Sequence, residues 1–508
     1  MASKTHLRRD LTQLPLFLLM FGIGSAAMFV PAVYALAVDQ HGASQAFLYA
    51  GLLGCVAFLL IGVAHAGRTP RHGALGPLLS LFCAFVFLPA FFAVPFVEAL
   101  PTTRYFNAYF EMLSALTTTG ATMFDNPSRL SGPLHLWRAQ VGWMGGLLMW
   151  VAAVAILAPL NLGGFEVTAQ AEPGRRETGL YNNAPLTPHQ RIRRALYMLA
   201  PLYGGLTLLL WILLLATGQE GLTALCHAMS VMATSGISTG TDGFGGVIPE
   251  MIMVLFMLFA LSRLTFTSDT VTATMGGLRT DPEFRIGLGI LILVPSILFA
   301  RHFFGAIDLS SEPPITLALQ ALWGSIFTAV SFLTTTGFAS EYWGQTQSYS
   351  GLGTPGLILM GLALIGGGVA TTAGGVKLLR VYALYRNAVR EMDQLVHPNS
   401  VSGAGAAGRR LQSGGAFIAW IFFMLLALSF AGVTLALTLT GVSFDDALVL
   451  ATAMLTTTGP LTDFGGAAPI SLLALSDPAK LIMAGAMVLG RLETLAIIAL
   501  LTPDLWRS

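Results

Sequence analysis

Four short runs of hydroxyl-bearing residues, each closed by glycine, recur along the chain. They are Leu116-Thr117-Thr118-Thr119-Gly120, Met232-Ala233-Thr234-Ser235-Gly236, Leu333-Thr334-Thr335-Thr336-Gly337 and Leu455-Thr456-Thr457-Thr458-Gly459. Such runs offer only neutral oxygens, from backbone carbonyls and from Thr or Ser hydroxyls. Neutral oxygens can replace the water shell of a weakly hydrated monovalent cation, and they lack the carboxylates that Ca²⁺ or Mg²⁺ sites normally use. The candidate ligands are therefore Thr118, Thr119 and Gly120; Thr234, Ser235 and Gly236; Thr335, Thr336 and Gly337; and Thr457, Thr458 and Gly459. A turn that aims carbonyls at an axis tends to need φ > 0, which glycine adopts freely. One such run would mean little, but four with matched flanks are an internal repeat. Ser114, Ser230 and Ser331 stand six residues before the glycine in three copies, with Ala453 as the exception.

Composition decides what must hold these runs. Of 508 residues, 55% are hydrophobic and only 10% charged, with a mean hydropathy of +0.72. Soluble proteins carry about 25% charged residues, so this is an all-α polytopic membrane protein. Two spans, Leu14–Ala37 and Ala46–Ala66, precede the first run. Each run then sits in a unit of span, short dipping segment, turn and span. The first unit is Leu75–Phe96, Asn107–Thr119 and Leu136–Leu157, and the second is Ala195–Ala216, Leu222–Thr234 and Ile248–Val271. The third is Phe284–Phe304, Thr316–Thr335 and Gly356–Tyr385, and the fourth is Ala416–Leu439, Phe444–Thr457 and Ala479–Leu501. The expected divisions are a two-helix segment (1–73), repeat one (74–160), an inner loop (161–194) and repeat two (195–272), followed by repeat three with a broken inner helix (273–390), an inner linker (391–415) and repeat four (416–508).

The basic residues give an independent check on this topology. With the N-terminus in the cytoplasm, the outer side holds only Arg104, Arg129, Arg138, Arg301 and Lys480 of the 26 lysines and arginines, and Arg263 and Arg491 fall within spans. All four runs then lie at the outer face. Two spans per unit make the units parallel, so their turns can meet at an axis along the membrane normal. Non-helical backbone at membrane depth survives only if it is buried in protein or lines a water-filled path. Each dipping helix would also direct its negative C-terminal end at a cation.

Two further features interrupt the apolar pattern. Gly366, Gly367, Gly368, Gly374 and Gly375 stand close together in an otherwise long apolar helix, just before Lys377. At about 1 kcal/mol each against Ala, they predict that this stretch unwinds. Arg491 lies mid-span, where a lone Arg costs at least roughly 3 kcal/mol. Glu493 is too near in sequence to share its helix face, and is expected to answer another helix. Glu111 and His227, in the first two dipping segments, are candidate proton or ion sites, against simple structural hydrogen bonding. Ser443 reads as an N-cap.

Other functions find little support. The net charge of +1 brings no basic stripe, which argues against nucleic acid. Cys55, Cys83 and Cys226 have no CxxC spacing, and support neither a disulfide framework nor zinc. No HExxH or GxSxG occurs, and no GxGxxG or GxxxxGK[ST] stands in a strand–turn–helix setting, so neither an enzyme nor a nucleotide-binding chain is expected. The inner stretches Asn161–Arg194 and Arg386–Gly415 are expected as connectors or as docking surfaces for a cytosolic partner.

Over nearly its whole length the chain resembles the superfamily of Trk, Ktr and HKT cation transporters, most closely the membrane subunit of Trk-type potassium uptake systems. The likeness rests on the four runs, on LWRAQVGWMGG (Leu136–Gly146), on GGGVATTAGGVKLLR (Gly366–Arg380) and on GRLE (Gly490–Glu493). The two extra N-terminal spans look more like Trk than Ktr. The resemblance implies four helix–pore-loop–helix repeats around one pore per subunit, a homodimer, a cytosolic regulatory subunit that binds nucleotide, and residence in the bacterial inner membrane. It implies K⁺ as cargo, since glycine at all four positions is the potassium-type pattern; a sodium or mixed monovalent-cation transporter is the alternative. It further implies that Gly366–Gly375 obstructs the pore below the filter and that Arg491 projects into the pore. Arg263 is not family-typical. Ala233, Ser235 and Pro460 mark the second and fourth copies as unequal.

Overall fold

The computed structural model describes residues 14–65, 76–160, 162, 164, 187–240, 243–261, 281–305, 315–351, 354–397 and 413–501. Arg263, most of Asn161–Arg194 and half of Arg386–Gly415 lie outside the described residues. Among the described residues the regular structure is entirely helical. Among the described residues, eight helices are long and apolar enough to cross a membrane.

The N-terminal span is broken into α1 (Leu16–Ala27) and α2 (Phe29–Ala37), and α3 is His41–His65. Repeat one comprises α4 (Gly76–Ala99), α5 (Tyr105–Leu116) and α6 (Gly132–Ala152). Repeat two comprises α7 (Pro188–Ala216), α8 (Gly221–Ala233) and α9 (Val247–Met257). Repeat three comprises α10 (Pro282–Gly305), α11 (Ile315–Leu333), α12 (Trp343–Ser350), α13 (Gly356–Ile365) and α14 (Leu378–Val396). Repeat four comprises α15 (Ser413–Leu439), α16 (Phe444–Leu455), α17 (Leu461–Phe464), α18 (Asp477–Leu492) and α19 (Thr494–Leu501).

In every repeat a short helix ends at the Thr/Ser-Gly run: α5, α8, α11 and α16. The helix that follows the turn packs on the short helix of the next repeat. Thus α6 lies on α8, α9 on α11, α13 on α16, and α18 returns to α5. The ring is closed. Within a repeat, glycines permit close approach of crossing helix to short helix: a Cβ on Gly145 of α6 would fall on the Leu116 carbonyl, and one on Gly490 of α18 on the Leu455 carbonyl. The glycines of the LWRAQVGWMGG and GRLE motifs are therefore contact points between a crossing helix and the end of a short helix.

The N-terminal helices pack against repeat one. Trp137 stacks edge-on against Phe47 and Phe92, at 5.8 and 5.5 Å, and its Nε1 donates to the Phe92 carbonyl at 3.1 Å. Where α1 stops, Gln140 Nε2 donates to the Ala27 carbonyl at 3.0 Å.

Besides the N-terminal one, three expected spans are not continuous helices. Residues 356–385 are interrupted between Ile365 and Leu378. Residues 479–501 are divided at Glu493, whose φ of 64° ends α18. The described part of 248–271 is α9 followed by a 3₁₀ turn, Leu258–Leu261. Conversely α11, the third dipping segment, reaches 19 residues, against 12 for α5 and α16 and 13 for α8.

Candidate functional site

The four runs share one backbone motif. The N–H of Thr119, Ser235, Thr336 and Thr458 donates to the carbonyl of Ser114, Ser230, Ser331 and Ala453, at 2.8, 3.0, 2.8 and 2.8 Å. The preceding N–H, on Thr118, Thr234, Thr335 and Thr457, donates three residues back, at 2.9 to 3.3 Å. This nested pair is a Schellman cap, which requires a left-handed residue where glycine usually stands. Here a threonine occupies it: φ is 54° at Thr118, 50° at Thr234, 58° at Thr335 and 54° at Thr457. A β-branched residue in this region costs about 1–2 kcal/mol, and the same cost is accepted four times. The sequence gives no direct sign of this; the signal was the identical spacing of Thr before Gly.

The glycines divide three to one. Gly120, Gly236 and Gly337 have φ of 74°, 66° and 88°, as expected, but Gly459 is not left-handed. Its glycine is demanded by space, because a Cβ there would fall on Ala121 and Gly120. The reason is the adjacent Pro460, which starts α17 and fixes a different exit. Neighbouring turns touch in order: a Cβ on Gly120 would meet the Ser235 carbonyl, and one on Gly236 the Thr336 carbonyl. A Cβ on Gly337 would meet Pro460 at 2.9 Å, and Gly459 N donates to Thr119 O at 2.6 Å.

The hydroxyls are not all directed alike. Thr119, Thr336 and Thr458 bond the hydroxyls of Thr117, Thr334 and Thr456 within their own turns, at 2.9, 3.0 and 3.1 Å. In the second copy Ala233 removes that partner, and Ser230 replaces it, 3.1 Å from the Ser235 hydroxyl. The Thr118 and Thr457 hydroxyls are buried without a hydrogen-bond partner among the described residues. Thr234 Oγ1 donates to its neighbour's carbonyl, and Thr335 Oγ1 accepts from Gly374 N at 2.7 Å.

Above the ring is a cavity of about 340 Å³, floored by Gly120, Gly236, Gly337 and Pro460 and walled partly by Asp125, Asp463 and Arg138. Glu111 and Arg138 form a buried ion pair at 2.6 Å. His227 lies 3.2 Å from Gln219 Oε1 and 3.5 Å from Ser238 Oγ. Ser443 caps α16 by accepting from Asp446 N at 3.2 Å.

Below the ring, the interrupted stretch folds back under three turns. Gly366 ends α13 with φ 73°, and Gly375 has φ 78°. Thr372 Oγ1 donates to Met232 O at 3.4 Å, Gly374 N to Thr335, and a Cβ on Gly374 would fall on the Thr456 carbonyl. Gly367 carbonyl accepts from Leu378 N at 2.9 Å, and Gly368 N donates to Ala260 O at 2.9 Å. Lys377, left-handed at φ 82°, donates its Nζ back to the Ala373 carbonyl. Arg491, 3% exposed, donates Nη1 to Thr372 O at 2.7 Å. Its Nε and Nη2 have no hydrogen-bond partner among the described residues. Glu493 answers a different helix, as expected, meeting Arg380 of α14 at 2.6 Å. Among the described residues no cluster of His, Cys, Asp or Glu could hold a metal ion.

Comparison with known proteins adds three observations. The family model described as "TrkH: Cation transport protein" matches residues 96–506. The chain is 31% identical over 428 residues to the Trk system potassium uptake protein TrkH of Vibrio parahaemolyticus, covering 82% of this chain and 83% of that one. It is 30% identical over 517 residues to the Halomonas elongata TrkH, covering 99% and 100%, and 28% identical over 502 residues to that of Escherichia coli K12, covering 95% and 96%. The crystal structure of the potassium transporter TrkH from Vibrio parahaemolyticus superposes with a TM-score of 0.79 at 26% identity, over 98% of this chain and 99% of that one. A match that spans all four turns, and a fold shared from end to end, place this multi-pass membrane chain in the TrkH family of cation transport proteins.

Proposed function

We propose that the chain takes up potassium across the bacterial inner membrane, through the ring formed by Thr118–Gly120, Thr234–Gly236, Thr335–Gly337 and Thr457–Gly459. The observation that carries this reading is the ring itself: four like turns in mutual contact, offering neutral oxygens, with the ends of four short helices directed at them. The cargo follows from the relatives, named as potassium uptake proteins. Membrane potential drives entry, at about 2.3 kcal/mol per charge per 100 mV.

Gly366, Gly367, Gly368, Gly374 and Gly375 form the inner gate, with Lys377 and Arg491. Support comes from the loop's contacts with three of the four turns and from the Arg491 bond to Thr372. While the loop remains there, it and the arginine's charge close the inner end. The chain works as a homodimer, with its N-terminus in the cytoplasm, under a cytosolic subunit that binds nucleotide and moves the loop.

Growth of a potassium-uptake-deficient bacterium at low potassium tests the core of this. Expression of the chain restores growth; failure with the protein shown to be inserted would overturn the reading. Flux in proteoliposomes separates cargoes, because equal potassium and sodium rates would favour the mixed-cation alternative.

A further inference from the structure

Each outgoing stretch beyond the ring is anchored differently, and the first has a charged anchor. Glu111 lies in α5, nine residues before Gly120, and is 2% exposed. Its Oε2 accepts from Met123 N at 2.9 Å and from Thr122 Oγ1 at 3.3 Å. Its Oε1 lies 2.6 Å from Nε of Arg138, which is 5% exposed and walls the outer cavity. That contact is an ion pair by proximity, not an aligned hydrogen bond.

The residues at the same place in the other repeats are His227, Thr328 and Leu450. His227 reaches Ser238 weakly, at 3.5 Å. Thr328 Oγ1 accepts from Ser340 N at 3.2 Å, and there Glu250 of α9 adds bonds from Ser340 Oγ and Glu341 N at 2.8 and 2.9 Å. Leu450 has no polar atom, and the fourth outgoing stretch instead coils into α17. Three turns are thus tethered from their own short helix by a side chain. Only the first tether from that position is a carboxyl group, and a guanidinium faces it.

We propose that Glu111 is a positioning residue for the first turn that sets how sharply the ring distinguishes potassium from sodium, and that its charge offsets that of Arg138 beside the cation entry. The proposal rests on the reading of the ring as a potassium path. Sodium is smaller, so neutral oxygens must close in to replace its water shell. A stiff ring resists that contraction. Glu111 stiffens one quarter of it by fixing where Gly120 leads into Thr122 and Met123. Arg138 holds the carboxylate in place, and Glu111 in turn offsets a positive charge beside the cation entry.

The two duties separate in experiment. Uptake of potassium and of sodium is measured in proteoliposomes under an inside-negative voltage, with each rate divided by the amount inserted. Glu111→Ala lowers the potassium-to-sodium flux ratio by about tenfold, the scale of losing a hydrogen bond to a charged group. Glu111→Gln keeps an acceptor for Met123 but leaves Arg138 uncompensated, so the ratio holds while the potassium concentration for half-maximal flux rises. Glu111→Gln combined with Arg138→Met returns that concentration toward the wild-type value. If the alanine variant does not insert, Glu111→Asp serves: it keeps the charge but withdraws it from Met123, so the ratio falls with half-saturation unchanged. A ratio that stays at the wild-type value in Glu111→Ala or Glu111→Asp overturns the proposal and leaves Glu111 a stabilising residue. A wild-type protein that does not discriminate overturns the potassium reading instead.

Discussion

Two residues at the outer mouth make opposite points about what a side chain does there. Gly459 is glycine because Ala121 and Gly120 leave no room for a Cβ, whereas Gly120, Gly236 and Gly337 also need a left-handed φ. Gly459→Ala therefore abolishes potassium uptake, since backbone and not a flexible side chain would have to move. Retained uptake by inserted protein would contradict the close approach. Asp463 stands in α17 at the water-accessible but recessed cavity wall. Partial enclosure, and then the charge of Asp125, raise its carboxyl to about 6. The group is anionic at neutral pH and becomes neutral as external pH falls through about 6. Half-saturation for potassium should then rise on acidification, because a negative wall concentrates cations. Asp463→Asn should show the raised value at all pH and lose the step; an unchanged pH profile would exclude Asp463 from cation entry.

At the scale of elements, the two helix breaks are joined to each other. Arg380, just after the interrupted glycine-rich stretch, is fully buried, meets Glu493 at the break between α18 and α19, and lies 3.6 Å over the Phe422 ring. Removing one member of a buried pair leaves a charge without its answer, so Glu493→Ala should cost about 3 kcal/mol, read as a lowered melting temperature in detergent. The exposed Arg104–Asp477 pair, at 3.0 Å, gives the contrast: Asp477→Asn should cost under about 1 kcal/mol. Two residues before Glu493, Arg491 holds the interrupted glycine-rich stretch through the Thr372 carbonyl. On the reading proposed above, Arg491→Ala removes both a charge beside the ion path and this bond, so potassium flux in proteoliposomes should rise. A fall in flux per inserted molecule would argue for a supporting role only.

For the whole molecule, four parallel repeats require all four turns to open on one side. Ser348 of α12 and Arg390 of α14 are both exposed and lie on opposite sides of the expected topology. In a chain with Cys55, Cys83 and Cys226 replaced, a membrane-impermeant thiol reagent should label Ser348→Cys in intact cells, and Arg390→Cys only after permeabilisation. The reverse pattern would invert the orientation. The closure of α18 on α5 also makes the order of packing circular, so the two chain ends of the repeat region meet in space though far apart in sequence.

Much of this was legible before any coordinates. The four Thr/Ser-Gly runs, their apolar flanks and the bias of Arg and Lys carried the expectation of repeats, parallel units and a neutral-oxygen ring, because burial in a membrane imposes length, polarity and hydrogen-bond rules on every segment. The glycine-rich interruption was readable for the same reason, as a stretch too costly to remain helical. Tertiary structure decided the rest. That Gly459 would be glycine for space depends on a neighbour brought close by ring closure, while the left-handed Thr118 and its counterparts, and Ser230 standing in for the hydroxyl missing at Ala233, are settled by the three-dimensional course of each turn. The pairing of Glu111 with Arg138, and of Arg380 with Glu493, likewise joins residues whose separation along the chain carries no period. Local sequence encodes which segments bury and turn, while the partner of a buried charge is set only when helices from different segments pack together.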